Sequence, residues 1–293
     1  MRNLSKCSIV WGLLLATGAP AAVVRVEVAE QSPVGPYTLV RGKVHFAVDP
    51  TLPANRIITD IDTAPRNEKG LVEFAADLYL LRPPKSNGTV LFEVSNRGRK
   101  GLLSTFNRAT GSNDPRTAAL LGDGFLLEQG FLLAWLGWQW DVPPEPHLMR
   151  FYTPQAKGVK GIVRADYVPD EKTQRFYVAD RTHTAYPVAD PDDPRMQLTV
   201  RDGADGPRRA IPRAQWRLEP DRTHLYMESG FEPGKIYEFV YYSQDPALVG
   251  LGPAAVRDFI SHLKQQDGYQ RAIGFGSSQS GRFLRTFLYY GFN

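Results

Sequence analysis

The sequence predicts an α/β fold in which an open sheet with helical crossovers is preceded by a strand-rich segment and interrupted by a β-rich insertion. Three observations predict it. Strand-like alternation runs from Val23 to Val94 with no sustained helical period. The stretch Phe131-Leu132-Leu133-Ala134-Trp135-Leu136-Gly137-Trp138 is almost continuously apolar, as expected of a strand covered on both faces. From Ala254 onward a helix, a short apolar strand, a tight turn and a second amphipathic helix follow one another, which is the crossover logic of an open α/β sheet. With 26 Gly and 23 Pro in 293 residues, turns are frequent, which argues against a helical bundle.

Residues 1–22 read as a secretory signal. Arg2 and Lys6 give a positive start, Ser8 to Ala16 an apolar stretch, and Ala19-Pro20-Ala21 a small-x-small cleavage site. The apolar run is shorter than the ~20 residues a bilayer requires, so no membrane span is expected after signal removal. The single cysteine, Cys7, would leave with the signal, and the mature chain would hold no thiol. The expected location is periplasmic or secreted.

Residues 23–149 are read as the N-terminal strands and the first part of the main sheet. Val23–Val28 and Tyr37–Val48 are strands, with a bulge expected at Gly42. Asn55–Ile61 and Leu71–Arg82 read as further strands, the latter stopped by Pro83-Pro84. Asn87-Gly88 turns tightly into a strand over Thr89–Val94. A short helix is predicted near Leu102–Arg108 and another segment near Gly124–Gln129. Residues 150–234 form the β-rich insertion, punctuated by turn-dense Asp190–Pro194 and Arg201–Pro207. Residues 235–293 hold the strand Lys235–Tyr242 that closes the insertion, a helix over Ala254–Gln265, a strand over Arg271–Phe275 and the start of a second helix. In the first helix, Val256, Phe259, Ile260 and Leu263 make one apolar stripe.

Charge excludes little but argues against nucleic acid. The formal charge is +4, and +2 once Arg2 and Lys6 are removed. Arg208, Arg209, Arg213 and Arg217 make the one local basic cluster, which reads as a solvated hairpin surface or, less directly, as the rim of an anionic-substrate site.

The chemistry concentrates in Gly276-Ser277-Ser278-Gln279-Ser280-Gly281. A strand that reverses into a helix within so few residues needs small side chains around its apex, and a serine there is the nucleophile-elbow arrangement. Ser278 at the apex leaves Gly276 and Ser280 at the crowded flanking positions, with Gly281 next. Ser280 at the apex would crowd Arg282, and Ser277 would crowd Phe275 and Gln279. The amide of Gln279 would face a developing oxyanion at the helix N-terminus. A second donor is expected from the loop after Thr89–Val94, with Gly98 the candidate in Asn96-Arg97-Gly98, where Arg97 or Arg99 could also hold an anionic group. The competing reading of the turn is a plain strand–helix junction with serine caps.

The five histidines, His45, His147, His183, His224 and His262, all precede the elbow, whereas the order Ser…Asp/Glu…His places the base last. No HExxH, paired Cys/His set or phosphate-binding loop is present, so no metal and no cofactor are expected. An alternative of another class is an exported β-rich carbohydrate- or surface-binding protein whose serine turn is structural. Trp135, Trp138, Trp140 and Trp216 with Tyr177, Tyr186, Tyr226 and Tyr237 would then form its platform, although such residues also fill cores. A third possibility is a truncated product with no function of its own.

Five ordered blocks resemble the exported bacterial alpha/beta-hydrolase domain-containing proteins: Asn96–Lys100; Gly124–Leu127 with Gly130-Phe131; Gly137–Asp141; Gly250–Gly252 with Val256–Asp258; and Ser278–Arg285 with Gly291–Asn293. The likeness runs from about residue 23 to the end. It implies an incomplete alpha/beta-hydrolase sheet, Ser278 as the nucleophile of a serine-dependent ester hydrolase, and a small-molecule ester as substrate. It also implies a missing C-terminal portion of the same protein carrying acid and base. Loss of such triad members can lower turnover by ~10⁶, so the fragment is expected to be inactive.

Overall fold

The computed structural model describes residues 22–293. The expected signal segment lies outside the described residues except for Ala22. Strands β1 (Val23–Val34) and β2 (Tyr37–Val48) form a long antiparallel ribbon turned at Gly35, and β2 pairs along its whole length with β3 (Val72–Arg82). The bulge expected at Gly42 lies on the facing strand instead. The register slips between Val28/Gly42 and Glu30/Arg41, leaving Ala29 as the extra residue. Gly42 makes room for it, since a Cβ there would lie 1.8 Å from the Glu27 carbonyl oxygen.

The strand expected over Asn55–Ile61 does not form. Pro53–Asn55 and Ile61–Thr63 are single 3₁₀ turns, and Asp60 between them has φ 62°, which an extended strand cannot accommodate. Ile58 and Ile61 are nevertheless buried, because the turns fold their side chains onto the sheet.

Strand β4 (Thr89–Val94) is buried at every position. The short helices α1 (Leu102–Phe106), α2 (Ala118–Leu121) and α3 (Phe125–Glu128) lead to β5 (Leu132–Leu136), which is equally buried and lies parallel to β4. The two-residue β6 (Phe151–Tyr152) pairs with β3, and the chain then leaves the main sheet.

The insertion comprises β7 (Lys160–Tyr167), β8 (Thr173–Tyr177), β9 (Gln197–Arg201), β10 (Arg209–Ile211), β11 (Trp216–Leu218), β12 (His224–Phe231) and β13 (Ile236–Gln244). It forms a four-stranded sheet, β10-β9-β13-β7, and a three-stranded sheet, β11-β12-β8. Phe176, Leu198, Trp216, Leu225, Phe231, Phe239 and Tyr241 fill a core of its own. Strand β13 is internal to the first sheet, paired with both β7 and β9. The entering and leaving chains bond to each other: Ala156 N–H donates to Pro246 O (2.9 Å), Asp245 N–H to Val159 O (2.8 Å) and Leu248 N–H to Pro154 O (3.0 Å).

Helix α4 (Leu251–Gln266), strand β14 (Arg271–Phe275) and helix α5 (Gln279–Tyr289) complete the described chain. Strand β14 joins β4 in parallel register, giving the order β1-β2-β3-β5-β4-β14. Side chains of β4 and β5 alternate between two layers, as the two-residue strand period requires. Val90, Phe92, Leu132 and Ala134 pack with α4 and with Phe283 of α5, while Leu91, Leu133 and Trp135 pack with α1–α3. The protein is therefore a mixed α/β structure with a central sheet and helices on both faces. Among the described residues no helix is long and apolar enough to cross a membrane.

Candidate functional site

The site is built where β14 turns into α5. Ser278, the N-cap of α5, has φ 56° and ψ −117° and is exposed. Residues other than glycine rarely adopt that backbone, and its occurrence on a surface serine marks a constrained turn. The turn closes by Ser280 N–H donating to Ser277 O and Arg282 N–H to Ser278 O, both at 3.1 Å. Gly276 lies directly against the following helix turn. A Cβ on it would sit 2.6 Å from the carbonyl carbon and oxygen of Ser280. Gly281 is the reciprocal contact, where a Cβ would come within 3.2 Å of Gly276 O. Ser280 is fully buried and its hydroxyl has no hydrogen-bond partner, so of the two serines flanking Gln279 only Ser278 presents its side chain outward. Gln279 opens α5, where its N–H has no intrahelical acceptor and points with the positive end of the helix.

The loop after β4 forms the neighbouring wall. Asn96 Nδ2 donates to Ser277 O (3.3 Å), tying the loop to the turn, and Trp138 Nε1 donates to Ser95 O (2.7 Å) while its ring meets Phe283 at 4.5 Å. Glu93 holds the loop's far end. Its carboxylate accepts from the N–H groups of Gly101 and Leu102 at the start of α1 and from Trp135 Nε1. Burial pushes the Glu93 carboxyl upward, an effect these donors counteract. Lys100 is buried beside it. Its ammonium donates to Asn113 O (2.7 Å) and His147 O (2.8 Å) and lies 4.5 Å above the Tyr79 ring. Burial pushes it down to about 7, against the upward pull of Asp114 and Glu93.

Ser278 and Gln279 line a cavity of about 830 Å³ together with Asn96, Arg97, Arg99, Lys100 and Gly101 of that loop. Gly98, the expected second oxyanion donor, is not part of this lining. Its φ is 76°, and a Cβ there would lie 2.7 Å from Val142 Cγ1 and 3.0 Å from Met149 N, so its Cα packs closely against that segment. The Arg97 amide is also engaged, donating to Gln139 Oε1 (2.8 Å). The remaining cavity walls come from Glu93, Thr105, Arg181, Phe275, Ser277 and Arg282. Of the cavity residues, Glu93, Thr105 and Arg181 escaped sequence reasoning, and Lys100 entered it only within the Asn96–Lys100 resemblance. A lone acid in an otherwise apolar strand is the signal that could have revealed Glu93, since a buried carboxylate demands donors.

No histidine lines the cavity. His183, on the insertion, is buried next to it, and its Nε2 faces Arg97 Nη1 at 2.6 Å. A guanidinium can only donate, so Nε2 accepts and the ring proton sits on Nδ1, 3.2 Å from Asp141 O. That ring couples the insertion to the loop, together with an Arg97–Asp180 ion pair at 2.8 Å, and is not free to take a proton from Ser278.

Other expected features resolve differently. Arg208 pairs with Glu238 and Arg209 with Asp202, while Arg213 and Arg217 lie over the rings of Trp216 and Tyr226, so the basic cluster has internal partners. Of the aromatic residues expected to form a platform, Trp135, Trp216 and Tyr237 are buried in cores, and Trp140 meets Tyr186 in a tilted pair with ring centroids 4.7 Å apart. Glu219, Asp221 and His224 are the one trio of side chains there close enough to share a cation, but Arg175 already pairs with Glu219 and His224 Nδ1 lies 2.6 Å from Asp221. No protein-family model, curated protein or solved structure matches the chain.

Proposed function

We propose that Ser278 is the nucleophile of a serine-dependent ester hydrolase of the alpha/beta-hydrolase type. The backbone of Ser278 carries the proposal: a surface serine held at φ 56°, ψ −117° at the apex of a strand-to-helix turn. Three further observations support it. The apex sits between the carboxyl ends of parallel β4 and β14, with flanking helices on both faces of the sheet, which is where open α/β sheets place their ligands. Gly276 and Gly281 supply the close approach an elbow needs. The loop after β4 borders the same cavity, as an oxyanion loop should.

In this reading Ser278 Oγ attacks the ester carbonyl carbon as its proton passes to a base. The oxyanion accepts from the Gln279 amide and from a donor of the Asn96–Gly101 loop, and collapse expels the alcohol. Water then attacks the acyl-enzyme, releasing the acid and restoring the hydroxyl. No histidine lines the cavity and His183 is held by Arg97, so among the described residues no histidine is placed to serve as this base.

Labelling of the intact protein with a fluorophosphonate tests the assignment. Label should disappear in Ser278→Ala and persist in Ser280→Ala. Labelling that persists in Ser278→Ala refutes it.

A further inference from the structure

We propose that the Ser278 cavity takes an ester that carries a carboxylate, such as a half-ester of a dicarboxylic acid, and that Arg99 and Arg282 bind the charged end. The ester part rests on the hydrolase reading above; the recognition of an anion stands on the cavity itself.

The lining holds five basic side chains, Arg97, Arg99, Lys100, Arg181 and Arg282, against the single acid Glu93. Most of these charges are already matched. Glu93 is occupied by N–H donors and Lys100 by two backbone carbonyls. Asp180 pairs with Arg97 at 2.8 Å and stands 3.8 Å from Arg181. Arg99 and Arg282 remain, and among the described residues neither side chain has an ion-pair or hydrogen-bond partner.

The two come from the two elements that frame the serine. Arg99 stands on the loop after β4, and Arg282 on the first turn of α5, where its N–H bonds to Ser278 O. The N-terminus of α5 adds partial positive charge on the same side. A planar guanidinium matches a carboxylate through two parallel hydrogen bonds, and such charge-assisted pairs are stronger than neutral ones. A neutral ester would leave both guanidinium groups without a counter-charge, whereas a half-ester supplies one. The cavity volume of about 830 Å³ accommodates a ligand of this size.

The test is equilibrium binding to the intact protein carrying Ser278→Ala, which prevents turnover, using p-nitrophenyl hemiglutarate and the neutral p-nitrophenyl pentanoate in calorimetry. The expected result is a preference for the hemiglutarate of about ten-fold or more, weakening with added salt and falling to near parity when Arg99→Gln and Arg282→Gln are combined. Arg99→Lys should restore part of it. Equal affinities, no binding of either ester, or a preference unaltered in the double variant would each overturn the proposal. Because this readout needs no nucleophile, a retained preference with failed Ser278 labelling removes only the hydrolase reading. Successful labelling without preference removes only the anion site.

Discussion

Gly276 and Ser280 touch through their backbones: a Cβ at 276 would stand 2.6 Å from the carbonyl carbon of Ser280. The strand-to-helix turn can close only because position 276 has no side chain. Gly276→Ala should therefore displace the first turn of α5, with a loss of about 1–3 kcal/mol typical of overpacking. Urea denaturation measures the loss, and fluorophosphonate labelling should fall with it. An unchanged midpoint together with full labelling would show that the contact is not limiting.

Ser280 offers the opposite case. Its hydroxyl is fully buried and unpartnered, and such a group costs about 1–3 kcal/mol relative to a satisfied one. Ser280→Ala removes the polar atom with little change in volume, so stability should be equal to or higher than that of the parent. A clear loss of thermal stability would mean that the hydroxyl has a partner in solution.

Lys100 gives the fold a dependence on alkaline pH. Burial holds its amine at about 7, below the ~10.4 of an exposed lysine. Between these values the unfolded chain binds the proton and the folded chain does not, so stability should rise as pH increases from 7 towards 10. Below about 7 both states are protonated and this contribution becomes flat. Denaturation at several pH values should show the rise in the parent and its loss in Lys100→Met.

Arg97 joins the insertion to the main sheet through His183 and Asp180. Arg97→Ala leaves a buried imidazole nitrogen without its donor and takes one of two arginines from the exposed Asp180, and the loss should be about 1–3 kcal/mol, the cost of an unsatisfied buried group. Limited proteolysis should cut faster in the segment 178–196, while the insertion's own core remains protected. Unchanged cleavage would show that other contacts hold the segment.

Most of the sheet was legible because burial leaves a plain mark on sequence: β4 and β5 are apolar at nearly every position, and β14 is bracketed by Gly268 and Gly276. The tight turn from β14 into α5 was legible because sterics restrict the residues around it to small side chains. The strand expected at 55–61 failed because the spacing of Ile57, Ile58 and Ile61 suits turns as well as strands, and the left-handed Asp60 decides between them. Helix α2, at four residues, is too short to show a period. The roles of Glu93 and Lys100 were hidden because their partners are backbone groups brought up by folding, from Gly101, Leu102, Asn113 and His147. The surroundings of Gly98 were hidden for a related reason. A glycine signals close approach but not to what, and here the neighbours are Val142 and Met149.

The chain enters and leaves the insertion along one hydrogen-bonded stem, residues 154–159 against 245–248. The two points of attachment therefore stay a fixed short span apart, whatever is built beyond them. A graft could replace everything distal to that stem with a tight turn or a foreign domain, and the strand order beneath would need no rethreading. The insertion is in this sense an exchangeable part, and the sheet that carries the serine can keep its shape while the segment beyond the stem is redesigned.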